Sequence, residues 1–268
     1  MGKANKYKTL SKNAALFTIS SFGAKLISFL LVPLYTSILS TSDYGKIDLI
    51  STTVQLLIPI LTLNIQDAIL RFTLDKDYCS DEVIGVGISI VFSGSFLLGI
   101  VIVALMKWQQ VFIEKEYLLF LFGNFFVGVL NNCFSMYLRA KDRVATLTVC
   151  GLINTFLTCV LNIVFLAIWR WGVTGYLIAN VLGTLVAVAG MFFKGNIYKE
   201  IKLKKNLKLF RVMILYSSPL IVNSLAWWLN NASDRYILSF FCGTALNGIY
   251  SVSYKIPTIL STIQSVFY

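Results

Sequence analysis

Eight apolar stretches, each about long enough to cross a bilayer, fill nearly all of this 268-residue sequence: 14–39, 47–65, 83–106, 117–138, 144–169, 171–193, 212–241 and 249–268. A hydrocarbon core of about 30 Å takes roughly 20 helical residues. Backbone polar groups in lipid are satisfied only in helices or closed barrels, and these runs lack the two-residue alternation of barrel strands. With 57% hydrophobic residues and a mean hydropathy of +0.77, too little polar surface remains for a water-soluble globule. The fold class expected is all-α: a polytopic helical membrane protein with about eight transmembrane helices.

Lys and Arg sort by connection. Sixteen of the 23 fall on one side, in the N-terminal segment, at Arg71 and Lys76, at Arg139, Lys141 and Arg143, and between Lys194 and Arg211. Lys46, Lys107, Lys115 and Arg170 fall on the other. Basic connections stay cytoplasmic, which predicts a multi-pass protein of the cell membrane with its N-terminus inside. The formal charge of +11 is then a topology signal and an attraction to anionic membrane lipids, with no nucleic-acid partner implied. The first stretch is too long for a signal-peptide core and is read as a permanent span.

The five cysteines form no CxxC motif, and the sequence has no histidine. Zinc sites and histidine-based acid–base chemistry are thereby disfavoured; no metal and no cofactor is expected. Asp75-Lys76-Asp77 is a DxD-like triplet of the kind that holds a metal–nucleotide. It lies in a connection too short for a catalytic domain, so an enzyme (a membrane glycosyltransferase or polysaccharide polymerase) is disfavoured.

Six spans precede the most basic segment and two follow it. The division expected is a six-helix N-terminal lobe at 1–197, a basic cytoplasmic connector at 198–211, and the first two helices of an incomplete second lobe at 212–268. A shift of 203 residues superposes the first helix pair on the last, setting Ser21 on Ser224, Thr41 on Thr244, Gly45 on Gly248, Leu57 on Leu260 and Ile60 on Ile263. Parallel repeats of this kind build secondary transporters. Because the last stretch runs to Tyr268 without a basic flank, the sequence reads as C-terminally truncated. Pro33, Pro59, Pro219 and Pro257 all fall inside apolar stretches, either as hinges or as ordinary membrane-helix kinks.

Charges inside spans carry the functional signal. A charge at mid-bilayer costs about 2.5–3.5 kcal/mol even on the lenient scale, and those retained usually face a cavity or a partner. Lys25 lies about 16 Å along the first helix from Ala14, close to mid-membrane. Asp234 and Arg235 either sit in the outer half of the seventh helix or, if it ends near Asn231, in an external loop. On a helix they point about 100° apart and do not suit each other as partners. Lys255 is six residues into the eighth stretch, where snorkelling is an equal alternative. Asp67 and Arg71 are spaced for a local ion pair, with Arg71 at an inner cavity mouth as the alternative; Asp48 and Lys46 read as interfacial. Arg139, Lys141 and Arg143 read as topogenic. Asn64, Asn154, Asn162, Asn180, Asn223 and Asn230 suit hydrogen bonds between helices. Counted this way, the in-membrane excess is cationic, Lys25, Arg235 and Lys255 against Asp234, which suits an anionic solute carrying phosphate.

The runs Ser20-Ser21-Phe22-Gly23-Ala24-Lys25-Leu26-Ile27-Ser28-Phe29, Pro33-Leu34-Tyr35-Thr36, Asp43-Tyr44-Gly45 and Asp67-Ala68-Ile69-Leu70-Arg71-Phe72 resemble the start of oligosaccharide flippases. These form the polysaccharide-transport branch of the multidrug/oligosaccharidyl-lipid/polysaccharide exporter superfamily. Ser233-Asp234-Arg235-Tyr236, Gly248-Ile249-Tyr250-Ser251 and Tyr254-Lys255 are similar to that family's seventh and eighth helices. The resemblance implies two six-helix lobes around a central cavity and outward passage of lipid-pyrophosphate-linked oligosaccharide repeat units for capsule, O-antigen or exopolysaccharide. It implies cavity cations at Lys25, Arg71, Arg235 and Lys255, supported by Asp234 and Asn230. Partners would be the lipid-linked substrate, membrane lipids, and the polymerase and glycosyltransferases of the same pathway. A cation-coupled drug exporter on the same fold is the alternative; it would prefer acidic cavity residues.

Overall fold

The computed structural model describes residues 23, 26–27, 30–107, 114–202 and 206–267, with side chains of the last helix as far as Lys255 and at Pro257. The described residues form helices and connections, with no strand among them. In chain order the helices are α1 (Val32–Ile38), α2 (Thr41–Thr62), α3 (Ile65–Leu74), α4 (Ser80–Lys107), α5 (Lys115–Ala140) and α6 (Val144–Asn162), which continues as a π-helical turn at Ile163–Ile168. There follow α7 (Gly172–Lys194), α8 (Ile197–Glu200), α9 (Leu207–Cys242) and α10 (Thr244–Phe267).

Six of these are long and apolar enough to cross a membrane: α2, α4, α5, α6 with its π turn, α7 and α9. Of the eight expected spans, half of the first lies outside the described residues, and its described end forms α1. The eighth forms α10, whose Asn247, Ser251 and Lys255 lower its hydropathy. The stripe carrying Asn247 and Ser251 is buried, because α10 lies along α2 rather than in lipid. Residues 207–211 of the expected connector form the first turn of α9.

Local chemistry sets the boundaries. Ser40 caps α2 by accepting from the Asp43 backbone N–H at 3.1 Å and donating to its carboxylate at 2.7 Å, a reciprocal cap that contributes about 1 kcal/mol. Asn206 caps α9 through Leu209 N–H at 3.1 Å. Pro59 lies in the last turn of α2, and the chain then breaks through two left-handed residues, Leu63 and Asn64, into α3. Pro33 opens α1, while Pro219 and Pro257 sit within helices that run on past them.

The dry core is built by α3 to α7. Ile65, Ile69, Val83, Ile84, Val91, Phe125 and Leu138 are wholly enclosed there. Around it, Phe92, Phe96, Ile100, Phe156 and Leu215 stand exposed, an apolar belt that only a lipid solvent leaves unpenalised. At one end polar contacts knit the connections together. Arg143 reaches Glu200 and the Gly195 carbonyl, both at 2.5 Å, and Lys141 donates to Ser80 at 2.5 Å. Lys202 pairs with Asp81 at 2.8 Å, a bond that holds its ammonium pKa above the usual lysine range. Lys141 and Arg143, read from sequence as topogenic, therefore also tie α4, α5 and α8 together.

Candidate functional site

The helices that follow the basic segment pack on α2, and their seam is polar. Asp48 sits two turns into α2, one turn beyond Gly45. Because α2 begins at Thr41, six residues before the apolar run itself, Asp48 is carried inside rather than left at the interface. Its carboxylate Oδ2 lies 3.4 Å from Nε of Arg235 on α9, with side-chain exposures of 15% and 13%. The guanidinium of Arg235 also stands over the Tyr254 ring of α10, 5.2 Å from its centroid. Arg235 Nε has no well-aligned hydrogen-bond acceptor within the protein, so its attraction to Asp48 is chiefly electrostatic.

Asp234, next to it, faces elsewhere, as the helical geometry requires. Its carboxylate accepts from the Tyr250 hydroxyl of α10. Asn247 of α10 donates to the Gly45 carbonyl at 3.3 Å and reaches Asp48 at 3.5 Å. Lys255 lies within electrostatic range of both Asp48 and Arg235. It reaches into a cavity of about 200 Å³ that is also lined by Tyr35, Asn154, Thr158, Tyr176 and Asn180. Two cations and two carboxylates thus meet where α2, α9 and α10 join. Isolated charges in a low-dielectric region are costly, and a buried pair survives only with good partners. Beside the cluster opens a second cavity of about 400 Å³, walled by Gln55, Trp227, Trp228, Asn231, Arg235 and Tyr254.

Of the expected site residues, Arg235, Lys255 and Asp234 are brought together. Lys25 lies outside the described residues. Arg71 is not in the cluster: it is on α3, past the Leu63–Asn64 break, and is more than half exposed. Its nearest carboxylate is Asp75, one turn on, at 3.9 Å, not Asp67 as the spacing suggested. Asn230 is exposed, and its neighbour Asn231 lines the cavity instead. Of the six asparagines expected to bond between helices, Asn64 does, donating to Ser224 at 2.6 Å. Asn162 and Asn180 donate to carbonyls of their own helices.

Sequence reasoning missed Asp48, Asn247 and Tyr250. It counted Asp48 as interfacial from the hydropathy edge at Ile47; the Ser40-x-x-Asp43 cap signature was the signal that would have moved the helix start outward. With Asp48 inside, the charges of the described cluster balance, and a cationic excess would rest on Lys25.

The comparisons with known proteins agree with this architecture. A family model described as polysaccharide biosynthesis protein matches residues 10–267. No curated protein matches the chain. Among solved structures, the MATE multidrug transporter DinF-BH superposes with a TM-score of 0.73 at 14% identity, covering 95% of this chain and 61% of that one. A mutant of the Vibrio cholerae MATE transporter VcmN superposes with a TM-score of 0.61, again at 14% identity, covering 96% of this chain and 67% of that one. This chain therefore spans about two thirds or less of the length of those transporters, and at such identity the likeness concerns the fold alone. The chain is a multi-pass membrane protein that belongs to the polysaccharide biosynthesis protein family.

Proposed function

We propose that the protein flips lipid-pyrophosphate-linked oligosaccharide repeat units across the cell membrane, from a cytoplasmic N-terminal side outward, for capsule, O-antigen or exopolysaccharide assembly. The observation that carries this reading is Arg235, largely buried and lining one cavity, with Lys255 lining another, in a chain of this family. Arg offers a pre-set fork of donors to phosphate oxygens, and Lys a point charge. Asp48 holds Arg235 in place when no substrate is bound, and a diphosphate competes with it for the guanidinium. The lipid tail stays in the bilayer. Outward movement of an anion is favoured by about 2.3 kcal/mol per charge per 100 mV of inside-negative potential. Alternation is rocking of an N-terminal six-helix lobe against a second lobe begun by α9 and α10. Pro59, where α2 gives way to the left-handed break, is the position best placed to hinge it, with Pro33, Pro219 and Pro257 as further kinks. Polymerase and glycosyltransferases of the same pathway are the expected partners.

In the full-length protein, Arg235→Ala and Lys25→Ala are expected to lower surface polysaccharide to below a third of the parent's level at unchanged protein abundance, a loss of the order produced by removing one charge-assisted contact. Normal polymer from both variants removes these residues from the mechanism. A second reading, a cation-coupled drug exporter, draws on the two carboxylates at the cluster. It predicts instead that Asp48→Asn abolishes efflux of a lipophilic cation while polysaccharide output is untouched.

A further inference from the structure

Away from the ion cluster, the seam between α2 and α9 changes character. The cavity beside Arg235 shares Gln55, Trp227 and Trp228 with a second cavity of about 310 Å³, which adds Asn64, Gln66, Asn132 and Asn223. The two form one groove, and each has the volume of a small-molecule site. Among the described residues, Arg235 is the single charged one on its walls; six carboxamides supply nearly all the remaining polarity.

This wall composition is selective. A carboxamide presents a donor and an acceptor together, which matches a hydroxyl that is itself both. A lipophilic cation would find the indole faces but leave the amide N–H donors unmatched. Leaving such groups dry and unmatched at membrane depth costs about 1–3 kcal/mol each, so the groove suits water or a hydroxyl-rich solute. The two indoles are held differently. Trp228 is fixed: its Nε1–H donates to the Thr52 carbonyl at 2.9 Å, and its ring packs on Tyr236 with centroids 5.5 Å apart. Trp227 is about two thirds exposed and lines both cavities. Asn231 donates one of its two amide N–H groups to the Trp227 carbonyl at 2.8 Å, which orients the amide beside that ring.

We propose that this groove is the carbohydrate subsite. The neutral, hydroxyl-rich headgroup lies along the amides with the apolar face of one sugar ring against Trp227, while its phosphate end stays at Arg235. The inference rests on the flippase reading and deepens it, making Trp227 and Asn231 specificity-determining residues.

The test uses full-length protein in nanodiscs and two probes: a polyprenyl pyrophosphate carrying an oligosaccharide and the same lipid without sugar. Parent protein is expected to bind the glycosylated lipid about tenfold or more tighter than the bare one, a gap of about 1.4 kcal/mol. Trp227→Ala combined with Asn231→Ala is expected to collapse that ratio to near unity while leaving affinity for the bare lipid unchanged. Trp227→Phe keeps a flat ring and should retain most of it. Arg235→Ala is expected to weaken both lipids and leave the ratio intact. The subsite is overturned if parent protein binds both lipids equally, or if the double variant, still monodisperse, keeps the tenfold preference. Binding of neither lipid by the parent is a different result, and it overturns the flippase reading itself.

Discussion

The seam that joins α2 to α9 and α10 has two unlike ends. At the Thr41/Thr244 end the helices touch backbone to backbone. A Cβ on Gly45 would lie 2.0 Å from the Thr244 carbonyl oxygen, and one on Gly248 would lie 1.8 Å from that of Thr41. The two glycines and two threonines are equated by the 203-residue shift, so each copy of the motif presses its glycine on the other's carbonyl. Ser42 and Thr244 hydroxyls complete the contact at 2.8 Å. At the Asn64/Ser224 end the same seam is hollow, bridged by side chains and lined by amides. The ion cluster lies between. Small residues let membrane helices close to contact distance, whereas at the other end polar side chains line open space between them. In the alternating access proposed above, a seam tight at one end and hollow at the other would be one stage, with the tight end as the barrier.

The largest effect should come from wedging that barrier. Gly45→Leu places a side chain where a backbone oxygen already sits, and neither main chain can yield locally. Transport, read as surface polysaccharide in a full-length background, is expected to fall below a tenth of the parent's; removing a close helix contact of this kind is an overpacking change of about 1–3 kcal/mol or more. A Ser42→Cys/Thr244→Cys pair reports the geometry. It should cross-link readily in the parent and fail to do so with Gly45→Leu. Efficient cross-linking in the wedged variant would show that this end is not the barrier.

The ion cluster between the two ends comes next. Removing one partner of a buried pair leaves an uncompensated charge and costs about 3–5 kcal/mol, whereas replacing both with apolar groups of similar size is often close to neutral. Arg235→Met and Asp48→Leu singly are therefore expected to lower thermal stability in detergent clearly, and the double variant much less than the sum. Additive losses would mean that Asp48 and Arg235, at 3.4 Å, do not depend on each other, and the contrast between the cluster and its flanks would soften.

How far the sequence reaches follows from the same division. Span positions were legible because hydropathy is a sum over many residues, and α4 to α7 fall where the apolar runs predict. The crossing of α2 with α10 was half visible in the Thr41/Thr244 and Gly45/Gly248 correspondence, which gave equivalence but not contact. The carboxylate that Arg235 meets was not legible. Pairing across 187 positions depends on how three helices close on each other, and a hydropathy edge placed Asp48 outside. Nor were the amides legible as a group: Gln55, Asn132 and Asn223 are scattered along three helices, and only packing gathers them on one groove.

The smallest effect is expected at Arg71, and it decides how far the hollow end extends. Its contact with Asp75 is long, at 3.9 Å, and more than half of its side chain meets solvent; such pairs contribute about 0–1 kcal/mol. Arg71→Ala should shift thermal stability within that range. If Arg71 only trims the surface beyond the Leu63–Asn64 break, polysaccharide output should follow stability and stay near the parent's level. A severalfold loss of output at preserved stability would place Arg71 at the mouth of the substrate path. The amide groove would then continue past Asn64 to the end of α3, and the hollow half of the seam would be longer than the two cavities alone imply.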